Sequence, residues 1–451
     1  MPGPPESTLA GVTRRDFDAV VVGAGPGGSM AALELASGGA RVALVDKAQF
    51  PRDKACGDLV GPRGVALLTE RGLAPERYLA LGDMEVIGPG GGRVVLPARS
   101  GRDYPGVAWA VPRRDLDDLV RRAAVAAGAE QVRARATGVR SEDGAITVAL
   151  AGAPDLRARV VIGADGAGST VAASAGLVDT GRVQLGFAVR TYLETDVTLP
   201  VIVLLEDAPG TGFPGYGWLF PGPGGLANAG LGVGVGADRR AGAIATRRLE
   251  AFVAHLAELG LVPPGTGTGP RLGGWLKMGM VGTAAARGRV LLVGDAAGLV
   301  NPLQGEGISQ AMESGVAAAR AIMGAADAGP DAAVAYGRWL ARHQAGYQGP
   351  AAVLQRVLLS RPRVISRAAR TLTWPPLGRR LAPGWALYWN DLVAGATPGP
   401  GRWTAALAWS MARAVTAPGP AQRRLRRDLQ PESPAAHRRP GGPHAARTAR
   451  P

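Results

Sequence analysis

Cysteine is almost absent from this chain of 451 residues, because Cys56 is its single example. A lone cysteine cannot form an internal disulfide, so a hydrophobic core must stabilise the fold. The first 15 residues also lack the apolar segment that a secretion signal needs. We therefore expect a protein of the reducing cytoplasm, with residues 1–15 disordered.

Long hydrophobic runs are missing as well. No uninterrupted apolar run reaches the roughly 20 residues that a membrane-spanning helix requires. Two segments, 384–395 and 401–416, place tryptophan and leucine among small residues in a pattern typical of helices. Such helices either pack against the protein or lie with one face in a membrane surface. Packing is the favoured interpretation, and peripheral association with the inner face of the membrane is the alternative.

Lysine is rare, so arginine carries almost all of the formal charge of +15. The stretch 423–451 is rich in arginine, proline and glycine, which predicts a disordered basic tail over 421–451. The charge of this tail either serves no partner or attracts anionic lipid. Because the tail has no interleaved aromatic residues and matches no recognised module, we expect no nucleic-acid partner.

Histidine is scarce and scattered. The four histidines are His255, His343, His437 and His444. They form no cluster with ligand spacing, so no metal site is predicted. Glycine and proline are abundant, at 68 and 36 residues, yet 46% of the chain is hydrophobic. A chain of this length and composition should fold into two or three globular lobes.

A glycine-rich turn follows a short apolar strand near the N-terminus. The run DAVVV is followed by GAGPGG, which gives a Gly-x-Gly-x-x-Gly pattern at Gly23, Gly25 and Gly28. Glycine permits the tight turn and close approach of a pyrophosphate, and the following helix supplies amides and a positive dipole. A second strand, ARVALVD, ends at Asp46, where a carboxylate can bind ribose hydroxyls; the adjacent Lys47 is grouped with this site. The segment predicts a dinucleotide site.

Two later segments indicate that the dinucleotide is FAD. Asp165 and Gly166 end the strand-like run ARVVIGADG, and Asp295 ends the run RVLLVGD. A carboxylate at such a strand end can hold the ribityl chain of a flavin. A helix then begins whose first amides would face the N1–C2=O edge of the ring and favour its anionic reduced form. The residues at the start of this helix are Gly305, Glu306, Gly307 and Ile308, of which Gly305, Gly307 and Ile308 are the predicted cofactor-binding residues.

Together these signatures resemble the FAD-dependent oxidoreductases of the glutathione-reductase-like fold, a group that includes para-hydroxybenzoate hydroxylase. The resemblance covers residues 16 to about 325. The segment VPRRDLDDLV at 111–120 is similar to a helix of the same group, which implies that Arg113 lies near FAD. Many hydroxylases carry arginine where this chain has Ala172, so the hydroxylase branch is disfavoured and the fold is unaffected.

The segment PRDKACGD at 51–58 resembles the Pro-Arg-x-Lys-x-Cys-Gly segment of the geranylgeranyl reductases. The resemblance implies that Cys56 and Gly57 lie beside the isoalloxazine ring, with Asp58 close by. It also implies that Arg52 or Lys54 contacts the cofactor or braces the loop. A lone cysteine is more often a small buried apolar residue than a redox group. Cys56 is therefore expected to contact the flavin, and it is also a candidate catalytic residue.

The segment GYGWLFPGPGGLANAGLGVG at 215–234 matches the Tyr-x-Trp-x-Phe-Pro…Gly-x-Gly pattern of the same family, including the gap. On a strand, Tyr216, Trp218 and Phe220 project from one face and form an aromatic wall suited to a hydrocarbon. They are the predicted substrate-binding residues. Tyr216 and Trp218 are also candidate catalytic residues, Tyr216 as a proton donor. A sheet face packed against its own core is the alternative. The Trp-x-Trp-x-Ile-Pro run of flavin halogenases is missing from this chain.

The predicted fold is α/β with an α+β substrate lobe. It combines a Rossmann-like FAD domain of glutathione-reductase type, an antiparallel-sheet substrate domain and a C-terminal helical region covering a substrate tunnel. The FAD domain is assigned to 16–81, 107–180 and 281–330, the substrate sheet to 82–106 and 181–280, and the helical region to 331–420.

The resemblance implies a FAD-dependent reductase that saturates C=C bonds of a geranylgeranyl or other polyprenyl chain, on a lipid, quinone, diphosphate, chlorin or secondary-metabolite intermediate. Reduced FAD would give hydride to one alkene carbon, and a proton would reach the other. An isolated alkene has no carbonyl to polarise, so the protein must supply positioning, a dry pocket and a strongly reducing flavin. The reductant is NADPH, NADH or a reduced ferredoxin acting as a redox partner protein.

Two other functions stay open on the sequence. A FAD-dependent monooxygenase would hydroxylate or epoxidise a lipophilic substrate and would need oxygen. A non-catalytic escort protein would bind prenyl groups without redox chemistry, and the segments around Asp295 and Cys56 argue against it.

Overall fold

The structure is a computed structural model, and it describes residues 16–142, 144–205, 215–236, 241–359, 361–389, 392, 397 and 399–415. The predictions of disordered ends at 1–15 and 421–451 lie outside these residues.

Strands and helices alternate through the first part of the chain. Its elements are β1 (Asp16–Val22), α1 (Pro26–Ser37), β2 (Val42–Asp46), β3 (Leu59–Val60), α2 (Pro62–Thr69), β4 (Leu79–Leu81), β5 (Met84–Ile87), β6 (Arg93–Leu96), β7 (Ala108–Ala110), α3 (Arg113–Ala126), β8 (Glu130–Arg133), β9 (Arg135–Glu142), β10 (Ala145–Ala151), β11 (Leu156–Gly163) and α4 (Thr170–Ser174).

The second part begins with long strands and ends in helices. Its elements are β12 (Gln184–Glu194), β13 (Val201–Leu204), β14 (Gly215–Phe220), β15 (Leu226–Gly236), α5 (Ala241–Glu258), β16 (Leu272–Met278), β17 (Ala286–Arg287), β18 (Val290–Leu292), α6 (Gly294–Ala297), α7 (Ile308–Met323), α8 (Pro330–His343), α9 (Ala345–Leu359), α10 (Pro362–Leu372), α11 (Pro375–Trp389) and α12 (Pro400–Val415).

The nucleotide-binding lobe is built on an eight-stranded sheet with the order β17-β18-β11-β1-β2-β8, to which β9 and β10 are attached. Its central pairs, β2–β1, β1–β11 and β11–β18, are parallel. These strands are nearly continuous apolar runs because both faces of the sheet are buried. The carboxyl ends of parallel strands lie at one edge of a sheet, where open α/β folds bind their ligands. Three of these strand ends carry predicted site residues: Gly23 follows β1, Asp46 ends β2, and Asp295 comes shortly after β18.

The second lobe is a seven-stranded sheet with the order β16-β12-β15-β14-β13-β5-β6. Its pairs are antiparallel except for β13 and β5, which are parallel with Val201 opposite Glu85. The predicted fold class, α/β with an α+β substrate lobe, is confirmed. The parallel pair of β13 and β5 makes this sheet mixed rather than purely antiparallel. One face packs on α5, where Leu219 and Leu231 share a core with Phe252. The opposite face presents the aromatic residues of β14. Because α5 does not cover this face, it is available to form the candidate functional site.

The C-terminal helices pack on both lobes. Tyr336 of α8 is fully buried in the nucleotide-binding core, and its hydroxyl donates to the Leu292 carbonyl at 2.8 Å. Ala382 and Ala386 of α11 pack in a cluster with Trp218 and Phe220 instead. The aromatic face of the second sheet is thus covered by a helix. Among the described residues, no helix has the length and apolar character needed to cross a bilayer.

Candidate functional site

The glycine-rich turn after β1 forms a close contact with the neighbouring strand end. Gly23 has a φ of +105°, and a Cβ atom there would lie 2.4 Å from the Ala164 carbonyl oxygen. The Asp46 carboxylate accepts a hydrogen bond of 2.8 Å from the Ala24 amide, so the end of β2 is tied to the turn. Helix α1 then begins at Pro26 with Gly25 as its N-cap. This geometry fits the diphosphate of a dinucleotide.

The two predicted flavin aspartates lie in different environments. The Asp165 carboxylate accepts hydrogen bonds from the Thr170 and Val171 amides, at 2.7 and 3.1 Å, and so caps the start of α4. Asp295 instead lines the central cavity, and its carboxylate lies 4.0 Å from the Lys54 ammonium. Of this pair, Asp295 is the better placed for a ribityl chain.

The start of α7 faces the same cavity. Gly305, Gly307 and Ile308 line it, and Gly307 is the N-cap of a helix of 16 residues. The positive end of the helix dipole therefore points toward this space. An anionic ring edge fits this position, as the sequence predicted.

The Cys56 side chain is half-buried and its thiol lies against Arg113. Burial raises the pKa of this thiol, and the nearby Arg113 guanidinium opposes that shift only in part. Arg113 is held by two hydrogen bonds to Asp117, of 2.7 and 2.8 Å, and Arg52 joins Asp117 at 2.8 Å. Cys56, Gly57 and Arg113 line the cavity. Arg52 does not line this cavity and pairs with Asp117 behind Arg113. Lys47 is exposed and directly follows the end of β2.

Asn228 of β15 connects the cysteine loop to the aromatic strand. Its side-chain oxygen accepts a hydrogen bond from the Trp218 indole at 2.9 Å. Its side-chain nitrogen donates to the Cys56 carbonyl and to the Asp58 carboxylate, each at 2.8 Å. The sequence analysis missed Asn228. The available signal was a buried-type strand, LANAGLGVG, interrupted by one amide residue.

Asp58 is a strained and buried residue of the cysteine loop. Its φ is +61°, a region that residues other than glycine seldom occupy and that is often found at functional sites. Its carboxylate accepts hydrogen bonds from the Tyr192 hydroxyl at 2.5 Å and from the Arg113 amide at 3.2 Å. Burial raises the pKa of Asp58, and these hydrogen bonds oppose the shift. Arg190 stacks on Tyr192 and pairs with Asp53, which closes the network.

The aromatic residues of β14 form a continuous wall. The ring centres of Tyr216 and Trp218 are 6.2 Å apart, and those of Trp218 and Phe220 are 6.3 Å apart. A Cβ atom at Gly57 would lie only 3.0 Å from the Phe220 ring, so the cysteine loop touches this wall. At Gly230 a Cβ atom would lie 2.3 Å from the Trp218 ring. The glycines of both motifs therefore make room for the same indole.

One mainly apolar cavity of about 390 Å³ joins these parts. The start of α7, Asp295 and Cys56 line it together with Tyr216 and Trp218. Its wall continues with aliphatic side chains from the second sheet and the C-terminal helices. These are Leu96, Ile202, Leu204, Leu276, Ala386 and Leu387. The predicted cofactor edge and the predicted hydrocarbon wall thus face one space.

A second cleft of about 680 Å³ lies on the other side of the cysteine loop. Gly57 and Phe220 line both spaces, whereas Asp58 lines this cleft. Its rim carries the exposed arginines Arg77 and Arg114, which have no ion-pair partner among the residues that the structure describes.

Comparison with known proteins agrees with this geometry. A family model described as an FAD binding domain matches residues 16–337. The menaquinone reductase of Mycobacterium tuberculosis is 36% identical over 319 residues, which are 68% of this chain and 76% of that protein. The digeranylgeranylglycerophospholipid reductase of Methanoculleus marisnigri is 31% identical over 325 residues, with the same coverage of 68% and 76%.

A solved structure has the same fold. The geranylgeranyl bacteriochlorophyll reductase-like protein of Thermoplasma acidophilum superposes with a TM-score of 0.66 and 22% identity, over 80% of this chain and 92% of that one. Fold, turn and cavity together define an FAD-dependent oxidoreductase. More narrowly, the chain belongs to the family of FAD-dependent geranylgeranyl reductases.

Proposed function

We propose that this protein saturates C=C bonds in the prenyl chain of a quinone of the menaquinone type. The observation that supports this proposal is the single cavity onto which the start of α7, the cysteine loop and the aromatic wall all open. The choice of a quinone rests on sequence similarity, because the mycobacterial menaquinone reductases are 36% identical and the archaeal lipid reductases 31–32%.

The bound FAD supplies the hydride, and the chain's own residues hold the reactants. The glycine-rich turn, Asp46, Asp295 and the first amides of α7 would hold the cofactor. Trp218 and Phe220 would align one branched five-carbon unit and exclude water from it. Their faces also stabilise positive charge that develops at a tertiary carbon.

The reductant is proposed to be a nicotinamide dinucleotide that binds in the second cleft. The size of the cleft suits such a ligand, and Arg77 and Arg114 offer free charges to its phosphates. NADPH should bleach the yellow holoprotein under anaerobic conditions. Alanine at both positions should raise the Kd for NADPH about tenfold or more. If only reduced ferredoxin bleaches the holoprotein, the cleft is not a nicotinamide site. If the double alanine variant loses affinity for the prenyl substrate and not for NADPH, the cleft binds the substrate.

Peripheral membrane attachment is the last part of the proposal. Three exposed apolar side chains of the C-terminal region support it. They are Trp374, between α10 and α11, and Trp403 and Leu407 of α12. Exposed arginines lie on the neighbouring helices, among them Arg363 and Arg367 of α10 and Arg379 of α11. The attached protein would then bind a prenyl quinone that is dissolved in the bilayer.

An anaerobic single-turnover experiment tests the proposed function. The dithionite-reduced holoprotein is mixed with menaquinone, geranylgeranyl diphosphate or a geranylgeranyl lipid, and flavin reoxidation and product mass are followed. We expect reoxidation by menaquinone, with a product heavier by about two hydrogens per double bond and no added oxygen in air. An oxygenated product, as from a monooxygenase, or no reaction with any prenyl compound would overturn the proposal.

Two variants connect this reaction with the aromatic wall. Trp218→Ala should retain the yellow colour and lose turnover by about 100-fold or more, because the substrate is no longer positioned. Trp339→Phe, on α8 and away from the cavity, is the control and should react like the wild type. Full turnover in Trp218→Ala would place the substrate elsewhere.

A further inference from the structure

Glu306 is a cavity residue whose carboxyl side chain has no role in the sequence motifs or among the proposed positioning groups. It lies between Gly305 and Gly307, and it lines the cavity together with Cys56 and Tyr216. Its carboxylate accepts a hydrogen bond of 2.8 Å from the Ser309 amide, in the first turn of α7. A carboxyl group is thus fixed in the wall of the cavity that is proposed to hold both the flavin ring and the alkene.

The surroundings of Glu306 favour its protonated form. Burial raises the pKa of this carboxyl, and Glu313 adds to the shift. The hydrogen bond from the Ser309 amide and the Arg63 guanidinium oppose it. Other ionisable groups of the cavity wall are the Tyr216 phenol, the Cys56 thiol and the Asp295 carboxylate, and Lys54 lies 4.0 Å from that carboxylate. Burial thus shifts the pKa of Glu306 in the direction of the protonated form, in a mainly apolar space.

We propose that Glu306 is the catalytic acid that gives its proton to one carbon of the prenyl double bond. The inference rests on the proposed reductase function. The alkene electron pair forms the new C–H bond with this proton, and the other carbon takes the hydride that the cofactor supplies. Two hydrogens are added, the two electrons come from the reduced flavin, and Glu306 is left as a carboxylate.

Acid strength decides between Glu306 and the other proton-bearing groups of the cavity. Ordinary pKa values are about 4.3 for glutamate, 8.5 for cysteine and 10 for tyrosine. Burial raises all three here, and Arg113 lowers only the pKa of the thiol. By its ordinary pKa the carboxyl group is the strongest acid of the three. An isolated alkene is a weak base, so the strongest correctly placed acid should dominate proton transfer.

The structure also stabilises the Glu306 carboxylate that remains after proton transfer. The Ser309 amide and the positive charge of Arg63 stabilise it. The Ser309 hydroxyl is buried, lies beside Glu306, and has no hydrogen-bond partner at bonding distance in the described chain. One turn further along α7, Glu313 reaches the surface with its side chain 18% exposed and accepts a hydrogen bond of 2.8 Å from Arg63.

The variant Glu306→Gln tests the proposal because it keeps the shape and the hydrogen bond to the Ser309 amide and removes the acidic proton. FAD content, reduction by dithionite and quenching of tryptophan fluorescence by the prenyl substrate should not change. Substrate-driven reoxidation of the reduced flavin should fall about 100-fold or more. Glu70→Gln, an exposed carboxyl remote from the cavity, is the matched control.

Two readouts distinguish an acid from a structural residue. Single-turnover rates of the wild type should decrease as the pH rises through the pKa of Glu306, and this decrease should be missing from the residual rate of Glu306→Gln. Infrared difference spectra at neutral pH should show a protonated carboxyl band in the wild type that the variant lacks. Glu306→Asp, which restores an acid, should recover part of the rate.

Several outcomes would overturn the assignment while leaving the reductase function intact. They are a wild-type rate that stays constant between about pH 5 and about pH 9, a Glu306→Gln rate within about threefold of wild type, or a larger loss in Tyr216→Phe or Cys56→Ser. Failure of the wild type itself to reduce any prenyl compound would refute the proposed function instead, so the two failures are distinguishable.

Discussion

Asn228 has the largest structural role of any single polar residue in the site. Its side chain satisfies the Trp218 indole, the Cys56 carbonyl and the Asp58 carboxylate, which come from two distant segments. Buried polar groups cost free energy when they lose their partners. The position of the cysteine loop therefore depends on one amide of a neighbouring strand.

Replacement of Asn228 by alanine should destabilise the fold by about 2–4 kcal/mol, because three buried polar groups lose a hydrogen bond. Urea unfolding of the holoprotein measures this change. Thr137→Ala, at an exposed hydrogen bond on β9, is the control and should cost less than about 1 kcal/mol. Equal losses in both variants would show that Asn228 does not hold the loop.

Lys277 is a buried residue with an unusual titration. It is 2% exposed, and its ammonium donates to the Ala296 carbonyl at 2.6 Å. Burial lowers the pKa of Lys277 to about 8, although Asp295 and Asp165 oppose the shift. An unfolded lysine has a pKa of about 10.4, so the unfolded chain binds more protons between about pH 8 and pH 10. Stability should therefore rise with pH across this window.

The variant Lys277→Met removes this titration. The free energy of unfolding of the wild type, relative to the variant, should increase by about 2–3 kcal/mol from pH 8 to pH 10. Urea unfolding at fixed pH values measures the difference, and titrations common to both proteins cancel. A constant difference would mean that Lys277 keeps the pKa of an exposed lysine.

At the scale of elements, strands β14 and β15 show how two motifs fit together. Trp218 lies across β15, and the strand has glycine at Gly230, directly opposite the indole in the register. A Cβ atom at Gly230 would also lie 2.5 Å from the Val189 carbonyl. At Gly232 the nearest atoms are 3.7 and 4.0 Å away, which are ordinary contacts.

The variants Gly230→Ala and Gly232→Ala form a matched pair. Gly230→Ala should displace the Trp218 ring and cost about 1–3 kcal/mol of stability, because overpacked sites relax poorly. Gly232→Ala should change the stability little. Thermal unfolding and the fluorescence of the holoprotein report both effects. Similar behaviour of the two variants would contradict the close packing of indole and strand.

The elements of the site could be predicted from sequence because their patterns are local. The Gly-x-Gly-x-x-Gly turn and the alternation of Tyr216, Trp218 and Phe220 follow from neighbouring residues, and the structure agrees with both. Asn228, Lys277 and Glu306 were not assigned roles. Their roles depend on partners such as Cys56, Ala296 and Arg63, which are distant in the sequence, so no local pattern identifies them.

For the whole molecule, the fold class could be predicted and two features of the topology could not. Segment 82–106 was assigned to an antiparallel sheet, whereas β5 pairs with β13 in parallel, and this pairing depends on a contact far along the chain. Helix α5 covers the outer face of that sheet, although its apolar residues carried no distinguishing motif. Pairings of this kind are determined by tertiary packing rather than by local propensity.

The C-terminal helices present an apolar surface on the molecule. Trp403 is 71% exposed and Leu407 62% exposed, one turn apart on α12. Replacement of both by serine should weaken binding to vesicles that contain anionic lipid by about tenfold or more, because each side chain loses burial in the membrane surface. Vesicle sedimentation measures this affinity. Val125→Ser, an exposed apolar position on α3, is the control.

Unchanged binding of the double variant would locate the attachment elsewhere. Strong salt dependence in both proteins would then indicate that arginine charge dominates attachment.

The parallel pairing of β5 and β13 has a consequence for how the protein is made. The hairpin of β5 and β6 leaves the ribosome long before Val201 of β13. The edge of β5 that pairs with β13 therefore has no partner strand while the intervening nucleotide-binding strands are synthesised. Contacts between such distant residues close large loops and slow folding. The nascent chain should therefore expose this apolar edge to chaperones, and substitutions in β13 should reduce the soluble yield more than the stability of the folded enzyme.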